Sequence, residues 1–397
     1  MKKLLGLLFA ACVAFPASAA VIDTVEVKGD IQVIASDVNH NNIANAYNSG
    51  VSARVLAGFS ADLVEDVTAN LTFQYANVWG GDPAVGNNIQ TYWNNVDLVE
   101  ANVVLHNLFC AFEATVGRQF YGDEDSAVIY FGPNHYNAEA NGLASSLDAA
   151  KIAYADDVKA VTVIAGRVNP THIGGGIMTT YDLFGADAKF KLGDNVIAQV
   201  YGYDVRDEEE VNRDKHQGIY GAKLGLNGEA VRVSAEYARN FGGDELVREH
   251  NATGQMFKAD VAGDIGAVTA RGTYYYANNN FVALGNYTPG LLIGDRLLGR
   301  IDDYSAEGVS LFNVGFDVKP AEKWTVSLDG FSFQDHRFKH SATLEGDVTV
   351  KYTHNEFVEL FAGAGYAKYT SWNGTVFNKG TYAKDNVKGQ LGMLVKF

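Results

Sequence analysis

The last eleven residues, Val387-Lys388-Gly389-Gln390-Leu391-Gly392-Met393-Leu394-Val395-Lys396-Phe397, alternate between two kinds of side chain. The odd positions carry Val, Gly, Leu, Met, Val and Phe, whereas Lys388, Gln390 and Lys396 occupy even positions. Successive side chains of a β-strand point to opposite faces, so this stretch predicts a strand with one face suited to lipid and one suited to water. An amphipathic strand that ends a soluble domain is the alternative interpretation.

The opposite end of the chain has the composition of a secretory signal. Lys2 and Lys3 form a positive segment, an apolar stretch follows, and Ala17-Ser18-Ala19 provides small residues for cleavage. The apolar stretch is too short to span a bilayer. We therefore predict that residues 1–19 are a cleaved signal peptide and that the protein is exported.

Alternation recurs along the rest of the chain. In residues 67–75 the odd positions are Val, Ala, Leu, Phe and Tyr, and the even positions are Thr, Asn, Thr and Gln. A soluble β-sandwich has the same period, with the apolar face inside. Beyond the signal, no apolar run approaches the roughly 20 residues that a transmembrane helix requires. Because only helices and closed sheets satisfy every backbone hydrogen bond in lipid, the exported, alternating chain predicts a β-barrel.

The connections between the alternating segments differ in length. Short ones, such as residues 62–66 and 193–195, separate longer ones, such as residues 122–146 and 277–306. Short periplasmic turns and long external loops are typical of outer-membrane barrels. We predict an all-β fold in which residues 20–397 form one transmembrane antiparallel barrel of about 18 strands, with both termini periplasmic.

Composition and motifs exclude several classes of function. The chain has 31 Lys and Arg against 47 Asp and Glu, a net charge of −16, which disfavours nucleic acid as a partner. His336 and His340 lack a third ligand at a useful spacing, so we expect no metal site. No Ser/His/Asp set or carboxylate pair is placed for catalysis, and we expect neither an enzyme nor a cofactor.

A barrel this wide is not filled by its own side chains and leaves a lumen for water and solutes. Strand alternation places a set of charged residues on the water-facing side, where they would line the pore: Arg54, Glu100, Glu113, Lys151, Lys189, Lys191, Arg232, Glu236 and Arg271. Residues 122–146 are the best candidate for a loop that folds inward. Their apolar and aromatic run needs a surface to pack on, and we expect it to form the constriction: Val128, Ile129, Tyr130 and Phe131.

The sequence from Gly117 to Glu124 reads GRQFYGDE, and Ser146 to Tyr154 reads SLDAAKIAY. Over Val116–Tyr154 this pattern resembles alginate-export-like outer-membrane proteins, which form 18-stranded pores. The resemblance implies that Arg118 lies in the lumen, that a constriction loop follows it, and that a basic lining admits anionic solutes. Alternation instead puts Arg118 on the same side as Val116. A bulge at Gly117 would turn Arg118 inward, and otherwise Arg118 lies above the lipid band.

These features predict an outer-membrane porin, a channel for passive diffusion of small hydrophilic solutes or ions. The alternative is an abundant structural or adhesive surface protein whose loops do the work. The expected partners are outer-membrane lipid and lipopolysaccharide, together with the barrel-assembly machinery, which would recognise Phe397. A homotrimer is also compatible with this interpretation.

Overall fold

Eighteen antiparallel strands close on themselves into a barrel. The computed structural model describes residues 25–39, 49–79, 96–138, 141, 144–168, 181–207, 216–242, 253–278, 281–285, 287–292, 308–339, 341–368 and 386–397. The predicted signal peptide, residues 1–19, lies outside these ranges. No helix among the described residues is long and apolar enough to cross a membrane.

The barrel strands follow one another in chain order, and two short strands, β6 and β7, pair with each other between β5 and β8. The bounds are β1 (Val25–Asn39), β2 (Ser49–Val64), β3 (Val67–Trp79), β4 (Val96–Leu108), β5 (Phe112–Gln119), β6 (Tyr121–Gly122), β7 (Tyr130–Phe131), β8 (Leu147–Ala155), β9 (Lys159–Val168), β10 (Tyr181–Lys191), β11 (Val196–Asp207), β12 (His216–Asn227), β13 (Val231–Phe241), β14 (Gln255–Ile265), β15 (Val268–Ala277), β16 (Val309–Ala321), β17 (Trp324–Asp335), β18 (Thr343–Thr353), β19 (Val358–Lys368) and β20 (Asn386–Lys396).

The first and last strands close the sheet. β1 and β20 pair from Asp30 opposite Lys396 to Asn39 opposite Val387. The ladder continues to the last residue, where Phe397 N donates to Gly29 O at 3.0 Å and Gly29 N donates to Phe397 O at 2.7 Å. Closure leaves neither strand as an exposed edge, which is the condition for a sheet in lipid.

Apolar side chains cover the outside of the barrel. Leu71 is 45% exposed and Leu391 is 63% exposed, whereas Gln32 and Gln74 on the inner face are 0% and 4% exposed. A soluble sandwich would show the opposite arrangement, with apolar residues inside. The predicted antiparallel barrel of about 18 strands is therefore confirmed. Aromatic side chains also point outward, among them Tyr75, Tyr237, Trp324 and Phe397.

The short connections all lie at one end of the barrel. Gly193 and Gly266 occupy tight turns there with φ of 84° and 63°, a left-handed conformation that glycine adopts at low cost. The strand ends that the long connections join are at the other end, and described residues of two of these connections lie in the lumen. That the short-turn end faces the periplasm remains our prediction.

Deletion of Phe397 tests whether this residue contributes to closure of the barrel. Deleting it removes two backbone hydrogen bonds, worth ~1 kcal/mol each, and an aromatic ring that covers Gly29. We expect less heat-modifiable barrel in the outer membrane of cells that express the deletion variant, and near-normal levels for Phe397→Tyr. Equal levels for the deletion variant and the unmodified protein would contradict a role for this residue in closure or assembly.

Candidate functional site

The connection after β5 folds into the lumen. The described residues of this first inner loop are 120–138, 141 and 144–146, and Gly122 near its start has a φ of 88°, which turns the chain inward. Gly122 and Tyr121 then pair with Tyr130 and Phe131 as a short β6–β7 hairpin. The predicted constriction residues lie in this part of the loop, with exposed fractions of 2% for Val128, 5% for Ile129 and 2% for Phe131.

The far half of the first inner loop is held on the wall formed by β1 and β2. Arg54 Nη1 donates to Asn134 O at 2.6 Å, and Arg54 Nη2 contacts Asp30 Oδ1 at 2.9 Å. Asn141 Oδ1 accepts from Gln32 Nε2 at 2.7 Å, and its Nδ2 donates to Ser52 Oγ at 2.9 Å. Arg54, which the sequence suggested as a pore-lining residue, lies on the inner wall and is completely buried beneath the loop. Its charge therefore anchors the loop and does not face solute.

His135 joins the first inner loop to this wall. Its Nδ1 lies 2.9 Å from Glu124 Oε2, and its Nε2 lies 3.6 Å from Asp30 Oδ2. Burial lowers the pKa of His135, but the hydrogen bonds to Asp30 and Glu124 outweigh this effect and raise the pKa above the usual 6.5. Protonated His135 therefore stabilises the docked loop.

Tyr136 fastens the same loop to β18, β19 and β20. Its ring packs on Phe361 with centroids 5.1 Å apart, and Lys351 Nζ lies 3.5 Å from the ring centroid. Its carbonyl accepts from Gln390 Nε2 at 3.3 Å. The loop thus extends through the lumen from β5 to the C-terminal strands β18, β19 and β20, and it narrows the passage.

A second connection also enters the lumen. The described residues of this second inner loop, 281–285 and 287–292, follow β15. Leu284 forms a parallel bridge with Ile129: Tyr130 N donates to Leu284 O at 2.9 Å, and Leu284 N donates to Val128 O at 2.9 Å. The two loops therefore share a hydrogen-bonded and apolar contact inside the barrel.

The barrel wall holds the second inner loop at two places. Asn240 Oδ1 accepts from Val282 N at 2.9 Å, and Asn240 Nδ2 donates to Val282 O at 2.8 Å. Glu345 Oε1 accepts from Leu291 N and Leu292 N at 2.9 and 2.8 Å. The sequence interpretation did not anticipate this loop. Its apolar run Phe281-Val282-Ala283-Leu284 resembles that of the first loop, and this run was the signal in the sequence that could have predicted a second inward loop.

Beside the first inner loop lies a cavity of about 540 Å³. Four lysines from alternate strands line it: Lys151 of β8, Lys189 of β10, Lys223 of β12 and Lys258 of β14. The last three belong to one row of cross-strand neighbours, which runs Lys189, Gln199, Lys223, Glu236 and Lys258. Residues directly opposite in the sheet point to the same face, so the strand register sets this row along the lumen.

Carboxylates face the lysines across and within the same cavity. Asp123 and Asp125 come from the first inner loop, and Asp187 and Glu236 come from the wall. Lys189 Nζ lies 3.6 Å from Asp123 Oδ2. The wall carboxylates each accept from a tyrosine: Tyr121 Oη to Asp187 at 2.9 Å, and Tyr201 Oη to Glu236 at 2.7 Å. The lining is thus highly charged and mixed in sign.

A second cavity, of about 550 Å³, continues the passage. It shares Asp123, Lys189, Gln199 and Lys223 with the first cavity. Arg232 and Arg271 also line it, and both lie close to carboxylates. Arg232 forms a bidentate pair with Asp264, and Arg271 contacts Asp317 and Asp329 at 2.7 and 3.1 Å. The shared lining makes the two cavities parts of one charged path.

Three further predicted residues lie on the inner face outside these cavities. Glu100 accepts from Thr72 Oγ1 at 2.7 Å, and Glu113 Oε2 lies 3.3 Å from His106 Nδ1 near the short-turn end. Lys191 is at the last position of β10 at the same end. They belong to the lumen wall.

Arg118 corrects the prediction. Gly117 has a φ of 122°, yet the pairing of β5 with β4 runs without interruption from Val116 through Arg118. No bulge therefore turns Arg118 inward. Its guanidinium forms a bidentate pair with Asp148 at 2.7 and 2.8 Å on the outer face. Arg118 does not line the pore, and the alternation argument gave the correct side.

Comparisons with known proteins support the fold. No family model matches the chain, and no curated protein matches it. Among solved structures, it is similar to the outer membrane protein OprD from Pseudomonas aeruginosa, at 9% identity and a TM-score of 0.65, covering 96% of each chain. It is also similar to Acinetobacter baumannii OccAB1 (12% identity, TM-score 0.64, covering 96% of this chain and 98% of that chain). A third is P. aeruginosa OccD3 (OpdP), at 11% identity and a TM-score of 0.64, covering 95% of this chain and 92% of that chain.

At these identities the likeness concerns the fold. The prediction of an 18-stranded porin-type barrel is confirmed, whereas the more specific resemblance to alginate-export-like proteins finds no support among the matches. The chain has the fold of 18-stranded outer-membrane barrels, built here with two inner loops and with a charged path between the first inner loop and the wall.

Proposed function

We propose that this protein is a channel of the Gram-negative outer membrane, through which small hydrophilic solutes diffuse passively. The observation that carries the proposal is the charged path: two cavities with a shared lining run beside the first inner loop, inside a barrel whose outside is apolar. The solved proteins of similar fold include one that is named an outer membrane protein, which supports the same location. The proposal gives the chain no catalytic step.

The inner loops would set the size limit. They fill part of the lumen with buried apolar residues, and each is tied to the wall by several hydrogen bonds. A loop held in this way narrows the passage without closing it, because the charged cavities remain along the wall of β8 to β14. The charged lining would then act on solutes in a narrow space where screening by salt is weak.

Conductance across a planar bilayer is the direct test of the proposal. A channel gives discrete current steps for the purified protein, whereas a structural or adhesive surface protein gives none. Protein whose folding has been verified by heat-modifiable mobility, and which yields no steps at any concentration tested, would overturn the channel function.

Removal of the predicted constriction should widen the passage. Deleting residues 128–131 takes away the apolar contact between the two inner loops, and we expect single-channel conductance to rise severalfold. The control is unchanged heat-modifiability of the variant, which reports an intact barrel. Wild-type conductance in a folded deletion variant would show that these residues do not limit the passage.

The lysine row, formed by Lys189, Lys223 and Lys258, should determine whether the channel prefers anions or cations. Replacing Lys189 and Lys223 by Gln removes two positive charges from the region shared by both cavities, so the reversal potential in a salt gradient should shift toward cations. The shift should be larger below about 0.1 M salt, where the Debye length exceeds about 10 Å. The matched control replaces Lys319 and Lys323, exposed near the short turn after β16, by Gln.

Arg118→Ala is a second control for the same measurement, because Arg118 is on the outer face. We expect it to leave selectivity unchanged. An equal shift for all these variants would mean that total charge, and not the lysine row, determines ion preference.

The docking of the first inner loop should depend on pH through His135. Because its pKa is raised in the docked loop, the stabilisation is fully present below about pH 6.5 and is lost as pH rises through the raised pKa. We expect current fluctuations to increase as pH rises from 6 to 9. In His135→Gln this pH dependence should be absent or much reduced, whereas a wild-type pH profile in that variant would assign the titration to another group.

A further inference from the structure

A row of charged residues crosses the outer face of the barrel near the ends of β5 to β12 that carry the long connections. This outer polar belt consists of Arg118 (β5), Asp148 (β8), Arg167 (β9), Asp182 (β10), Asp204 and Arg206 (β11), and His216 (β12). The seven residues lie on six neighbouring strands, and basic and acidic groups alternate along the row. None of them belongs to the charged path in the lumen.

Ion pairs and strand register link the belt from end to end. In addition to the bidentate pair of Arg118 and Asp148, Arg167 Nε lies 3.1 Å from Asp182 Oδ1. Arg206 Nε lies 2.8 Å from Asp204 Oδ2, and His216 Nδ1 lies 3.2 Å from Asp204 Oδ1. Strand register adds further links between neighbouring strands: Asp148 is opposite Arg167, and Asp182 is opposite Arg206.

The belt faces away from the lumen. Residues two or four positions along the same strands share its face, and they are among the exposed apolar residues: Val116 at 54%, Ile152 at 48%, Val163 at 52% and Phe184 at 45%. Side chains two apart in a strand point to the same side. The belt therefore interrupts the apolar surface that lipid would cover.

On each strand, the outward apolar residues between the belt and the short-turn end of the barrel form an apolar stripe, and on β5 this stripe is short. On β5 it has three outward residues, Phe112, Ala114 and Val116, before Arg118. On β2 the outward positions from Val51 to Ala61 are six consecutive apolar residues. With strands tilted by about 40° and rising about 3.3 Å per residue, these stripes span about 10 and about 25 Å of membrane thickness. The apolar band of the outer membrane is about 25 Å tall, so the apolar stripe on β5 is too short to cover it.

We propose that this side of the barrel binds a second copy of the chain, with the outer polar belt of one molecule against that of the other. Charged groups on the lipid face of a barrel cost about 2–4 kcal/mol near mid-membrane, and a protein neighbour removes that contact with lipid. The alternation of sign makes the belt complementary to itself, because each guanidinium can meet a carboxylate of the other copy.

The charge balance of the belt disfavours the anionic phosphates of lipopolysaccharide as its occupant. The belt holds three arginines and three aspartates, so carboxylates lie beside every guanidinium. A phosphate that approached one arginine would also meet a neighbouring carboxylate. A second copy brings both signs and therefore fits without such repulsion.

Photo-cross-linking in intact outer membranes tests the proposal. The photoreactive residue p-benzoylphenylalanine replaces Val163, just below the belt on β9, or Val348 on β18 as the matched control, nine strands away around the barrel. Both positions are apolar, exposed and outward. We expect an adduct of twice the chain mass from position 163 and little from position 348. An adduct with lipopolysaccharide alone, or equal dimer from both positions, would overturn the proposal.

A belt variant gives an independent readout. With the photoreactive residue at position 163, Arg118→Leu with Asp148→Leu extends the apolar stripe and removes one charge pair. Loss of a pair across an interface should lower the dimer adduct by about tenfold or more. The matched control is the luminal pair, Arg232→Leu with Asp264→Leu, which should leave the adduct unchanged. An unchanged adduct in the folded belt variant would show that the belt is not the contact.

Discussion

The backbone hydrogen bond imposes the constraint on which the rest of this structure depends. In lipid no water is available to pair with an N–H or a carbonyl, so every strand needs a partner on both sides. The pairing of β1 with β20, completed by Gly29 and Phe397, satisfies this condition for eighteen strands at once. Side chains then alternate along each strand, with apolar residues outward and polar residues inward. The lumen lined by this inner face tolerates charged side chains.

The same constraint explains why the lumen is divided between apolar loops and a charged path. A wide barrel leaves space that its own side chains do not fill. The two inner loops occupy part of that space and bury Val128, Ile129 and Leu284 against each other. Arg54, Asn240 and Glu345 of the wall hydrogen-bond to backbone groups of these loops, as buried polar groups require. The remaining space lies along β8 to β14, where the strand register gathers the lysines.

Charge therefore has three different roles in one barrel. Buried Arg54 anchors a loop, the lysines and carboxylates of the cavities face a space open to solutes, and the arginines of the outer polar belt lie where lipid would otherwise be. Residue type does not distinguish these roles. They follow from the face of the strand on which a residue lies and from what the loops cover.

The sequence by itself determined the fold class and most of the inside and outside assignments, because strand alternation is a local property of the backbone. It indicated about 18 strands, an inward loop with Val128 to Phe131, and a luminal position for Lys151, Lys189 and Glu236. It could not show that Arg54 is covered or that the second inner loop enters the lumen, because those outcomes rest on contacts such as Arg54 with Asn134 and Leu284 with Ile129, far apart in the chain. For Arg118 the sequence left two sides open. Only the uninterrupted pairing of β5 with β4, a tertiary property, decided between them.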